Sequence, residues 1–70
     1  MTNLKRIRIS KGKSQIRLAS EADVAVSPLS HYENGWKLPT RQTAEKLAKA
    51  LNVTVQDLFP DVKLKNLAGA

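Results

Sequence analysis

Helix stops recur along this chain at short intervals, and they constrain its fold more than any other feature. Gly12, Asp23, Asn34-Gly35 and Asn52 each follow a helix-compatible stretch. Glycine, aspartate and asparagine tolerate the left-handed backbone that closes a helix. Helix starts stand between them: Ser14, Thr40 and Thr54 are good N-cap residues, and Thr54-Val-Gln-Asp57 is a capping-box variant closed by Pro60. Such punctuation allows only short helices, predicting an all-α fold of five helices with no strand and no internal repeat. With no cysteine among 70 residues, neither a disulfide framework nor a cysteine-based zinc site can support it. Helix packing must supply a core that is small at this length, with dimerisation as a possible aid.

The apolar spacing fits that division. Leu4, Ile7 and Lys11 share one face of the first helix, ended by Gly12. Leu18, Ala19 and Ala22 share a side of the second, with Ile16 on a neighbouring stripe, and Val24 anchors the chain after the Asp23 turn. The third helix runs from about Ala25 or Ser27 to Asn34, with Leu29 and Tyr32 inward and Ser27, Ser30 and His31 outward. After the loop 36–39, the fourth helix, Arg41 to Leu51, carries Ala44, Leu47, Ala48 and Leu51 in a clean i, i+3, i+4, i+7 stripe. Val55, Leu58 and Phe59 form the apolar face of a short fifth helix. Residues 1–60 read as one domain. Residues 61–70, with Val62, Leu64 and Leu67, read as a frayed tail or a dimer arm.

Two short helices joined by a tight turn, the second with small polar side chains outward, make a helix-turn-helix pattern. In that pattern the second helix enters a DNA major groove. The charge points the same way. Twelve Lys and Arg oppose six Asp and Glu, and residues 1–41 hold eight basic residues against three acidic. That balance suits a polyanionic partner or a basic solvated surface. No apolar run reaches the roughly 20 residues of a membrane span, and the N-terminus lacks a signal-peptide apolar block. The expected setting is cytoplasmic. With one histidine, no cysteine and scattered carboxylates, no catalytic set, metal site or cofactor is expected, and Ser30 and His31 are adjacent on a helix and do not face each other.

The motifs Ser14-Gln15, Leu18-Ala19, Val24, Glu33-Asn-Gly35, Pro39, Leu47-Ala-Lys-Ala-Leu51 and Asp57-Leu-Phe59, with Leu4-Lys-Arg-Ile-Arg8 ahead of them, carry a resemblance. From Leu4 to Phe59 the chain resembles the lambda-repressor-like helix-turn-helix domains of phage repressors, Cro proteins and Xre-type regulators. The resemblance implies a five-helix domain binding double-stranded DNA as a homodimer. It implies base contacts from Val26, Ser27, Ser30 and His31. It implies phosphate contacts from Lys11, Lys13, Ser14, Gln15, Asn34, Lys37 and Arg41. It implies an ion pair of Arg8 with Glu33. Val53, Val55, Leu58 and Phe59, apolar side chains at the last helix, are expected core and dimer-interface residues. Asp23 stands where the family usually has glycine, Lys13 at a commonly apolar position, and Trp36 where lysine or arginine is usual. Ala25 replaces the usual capping Ser or Thr, so Ser27 before Pro28 offers a later start for the third helix. Trp36 is expected to pack over the loop with Pro39, the alternative being an exposed ring against sugar and phosphate. The functional expectation is a regulator, a repressor by steric occupation of a palindromic operator. The alternative is a protein-interaction module, such as an antitoxin or adaptor, with secondary DNA binding.

Overall fold

A computed structural model describes residues 3–60. Five helices follow in order: α1 Leu4–Ser10, α2 Gln15–Ala22, α3 Val26–Glu33, α4 Arg41–Leu51 and α5 Val55–Leu58. Residues 61–70, and with them the question of a dimer arm, lie outside the described residues.

The four longer helices close in the same way. After each, a residue with positive φ reverses the backbone: Gly12 at 72°, Asp23 at 58°, Gly35 at 75° and Asn52 at 58°. The next residue's N–H then reaches back to the last full turn. Lys13 donates to Arg8 O, Val24 to Ala19 O, Trp36 to His31 O and Val53 to Ala48 O, at 2.9–3.2 Å. This is the Schellman arrangement, which satisfies carbonyls that would otherwise end the helix unpaired. Val24 and Val53 use it to turn their side chains onto the core.

The starts are less uniform. The side chains of Ser14, Thr40 and Thr54 accept from the N–H groups of Arg17, Thr43 and Asp57, and Asp57 returns the bond to the Thr54 N–H. Each such cap is worth about 1 kcal/mol. Helix α3 has none: its N-cap is Ala25, in extended conformation with no side chain to offer. The later start at Ser27 does not occur. The helix begins at Val26, which places Pro28 third, where its missing N–H belongs to a set with no intrahelical acceptor.

Leu4, Leu18, Leu29, Leu47, Leu51, Leu58 and Phe59 fill the core, each at most 1% exposed. Helix α2 packs on α3 and α4, α4 on α5, and α1 on α3. The Asn3 N–H and side-chain amide reach Leu58 O and Asp57 O, joining the start of the described chain to α5. Leu58 and Phe59 belong to the core half of their expected role: their side chains are at most 1% exposed, covered within one domain. Val53 and Val55 remain half-buried. A correction concerns the loop after α3. Pro39 is fully buried, whereas Trp36 is 75% exposed. Ile16, on its own stripe of α2, is also exposed.

Candidate nucleic-acid interface

Helix α3 is oriented by a buried ionic bridge. Arg8 on α1 donates from Nε to Glu33 Oε2 at 2.6 Å and from Nη2 to Oε1 at 3.3 Å. Its Nη1 reaches Lys13 O at 2.7 Å. Glu33, the last residue of α3, also accepts from Gln15 Nε2 at 2.9 Å. A fork of charge-assisted bonds thus fixes α1, the following loop, the first residue of α2 and the end of α3 relative to one another. Both charged side chains are nearly buried, and no buried side-chain N or O atom among the described residues lacks a partner. Such a bridge costs desolvation and gives back orientation.

With α3 held, its outward face presents Val26, Ser27 and His31, all exposed, and a half-buried Ser30. The start of α2 lies tied to the same helix through Gln15, so a ligand at Ser14 and Gln15 would meet the free N–H groups of a helix N-terminus. Lys11, Ser14, Asn34, Lys37 and Arg41 are exposed. Arg41 stands 4.0 Å from Glu45, a loose surface pair.

Lys13 departs from its expected place among these cations. Its ammonium pairs with Glu21 and donates to Ala50 O at 3.1 Å, so it links the α1–α2 loop to α2 and α4. Arg17 joins the same carboxylate at 3.3 Å. The Lys13 hydrogen bond, with help from Arg17 and against some desolvation, holds the Glu21 carboxyl below its ordinary range. The Arg17–Glu21 spacing of four is visible in the sequence, whereas the reach of Lys13 to Ala50 has no local signal.

One contact on this surface carries no motif. The rings of His31 and Trp36 lie with centroids 5.7 Å apart at 37°. Among the described residues, no three or more His, Asp or Glu gather as a metal site, and no helix is long and apolar enough to cross a membrane.

The helix-turn-helix family model matches residues 4–58. A chain of the solved SinR protein/SinI protein complex is 37% identical, with a TM-score of 0.77. The match covers 96% of this chain and 65% of that one, so this chain spans somewhat under two thirds of its neighbour's length. No curated protein matches. With the family match extending over all five helices, the chain belongs to the Cro/cI-type helix-turn-helix family of DNA-binding regulators.

Proposed function

We propose that the protein is a sequence-specific transcriptional repressor that binds double-stranded DNA as a dimer in the cytoplasm. One observation carries the reading: a buried bridge holds an eight-residue helix so that its small polar face stays outward, in a chain of net charge +6. Helix α3 lies in the major groove. Val26 meets a thymine methyl, and Ser27, Ser30 and His31 reach base edges. Ser14 and Gln15, Asn34, Lys37 and Arg41 on one side and Lys11 on the other take the flanking phosphates. Serines discriminate weakly, so DNA shape contributes to the choice of site.

Pairing gives the operator its symmetry. Because Leu58 and Phe59 belong to the core, Val53 and Val55 are the apolar side chains left at that end for a two-fold contact. Two α3 helices would then read half-sites about one turn, roughly 10 bp, apart. Repression follows from occupation of a promoter. The test is selection of bound duplexes from a random pool at near-physiological salt, with the mass of the free protein measured in parallel. An enriched palindrome with that spacing is the expected result. Weak, salt-sensitive binding without enrichment contradicts it.

A second reading has one observation of its own. The neighbouring chain comes from a complex of two proteins, SinR and SinI. A protein partner that regulates this domain, or an interaction role in which DNA binding is secondary, fits that finding. In that case a partner, and not an operator, is what a capture experiment returns.

A further inference from the structure

We infer that Trp36 is a specificity-determining residue that positions His31, the inference resting on the DNA-binding reading above. Gly35 has a φ of 75°, and the Trp36 N–H donates to His31 O at 3.0 Å. A helix ended this way places the side chain two beyond its cap over the residue at the start of its last turn. After α2 and α4 that side chain is a valine against the core. After α3 it is an indole, and it lies over the imidazole of an outward base-reading candidate.

The residue so covered has little else to hold it. His31 is exposed, and no hydrogen bond fixes its imidazole among the described residues. A ring separation of 5.7 Å at a tilt of 37° is within the range of attractive aromatic pairs. An indole at that distance limits how far the imidazole can swing toward Trp36. Trp36 is itself 75% exposed, far more than a residue serving the core. It bears no charge, so its contribution is to the choice of base and not to counterion release.

The test compares the full chain with Trp36→Ala, Trp36→Phe and His31→Ala in random-pool selection at fixed salt. Unfolding midpoints serve as the control for folding. The expected result is that Trp36→Ala flattens preference about tenfold at the same base pair that His31→Ala flattens. Its salt slope stays at the wild-type value, and Trp36→Phe retains most of the preference. Because Trp36 is the only tryptophan, its fluorescence should also shift when the enriched duplex is added to the wild type. An unchanged preference in Trp36→Ala overturns the inference while leaving the DNA-binding reading in place. So does a uniform loss of affinity across all sequences, or fluorescence that responds only to a protein partner. Failure of the wild type to enrich any sequence overturns both.

Discussion

Helix α4 starts on the Thr40 cap, carries an unbroken apolar stripe over eleven residues and stops at Asn52. Helix α3 starts on an uncapped alanine, has a proline in its first turn and buries only Leu29, Tyr32 and Glu33. The first is stabilised by its own sequence. The second is stabilised from outside, by Arg8 reaching across from α1 and by Gln15 from α2. A helix whose outer face must match a ligand cannot place its stability there. Tertiary anchors at its end free that face for other chemistry.

Breaking the anchor should have the largest effect. Arg8→Ala removes the guanidinium paired with the buried Glu33 carboxylate, and should cost about 3–5 kcal/mol in urea unfolding. For a domain this small that approaches global unfolding. An Arg8→Met, Glu33→Leu double variant should recover much of the loss, because neither charge is then stranded. Truncating the α4 stripe comes next: Leu47→Ala should cost about 2–5 kcal/mol, as a fully buried leucine leaves a cavity. Removing the α4 cap with Thr40→Ala should cost about 1 kcal/mol. Giving α3 the cap it lacks sharpens the contrast from the other side. Ala25 already has the extended backbone of a capping residue, so Ala25→Ser should raise stability by about 0.5–1 kcal/mol.

The smallest effect belongs to pH. Glu21 is ionised more readily in the folded state than in the unfolded, chiefly through its Lys13 hydrogen bond. Its contribution is therefore present above its unfolded pKa and is lost as pH falls through the lower folded value. The pair is exposed and screened by salt, so the expected change is slight. Urea midpoints followed from pH 6 to pH 3 should fall less in Glu21→Gln than in the wild type.

How much of this could be read in advance follows from the range of each interaction. The caps at Ser14, Thr40 and Thr54 and the stops at Gly12, Asp23 and Asn52 are local, and the sequence placed them where the structure has them. The α4 stripe is periodic over three turns, enough to fix its inner face. The start of α3 stays open between Ala25 and Ser27 in the sequence because Ser27-Pro28 is a strong local signal, while the anchors that hold Val26–Glu33 lie on other elements. Leu58 and Phe59 were legible as apolar, but no spacing says whether a neighbouring helix or a second chain covers them. Lys13 meets a carbonyl 37 residues away, beyond any pattern in its own helix or loop. For Trp36 the sequence allows both packing over the loop and exposure, with nothing local to choose between them. The geometry of the helix end sends it outward onto His31.

The most direct test of the account is to map amide NMR shifts of the labelled protein as the enriched duplex is added. The account predicts perturbations concentrated at residues 14–15 and 26–37, with the α4 and α5 core positions little changed. Perturbations centred on residues 44–58, with α3 unmoved, would contradict the assignment of α3 as the reading helix.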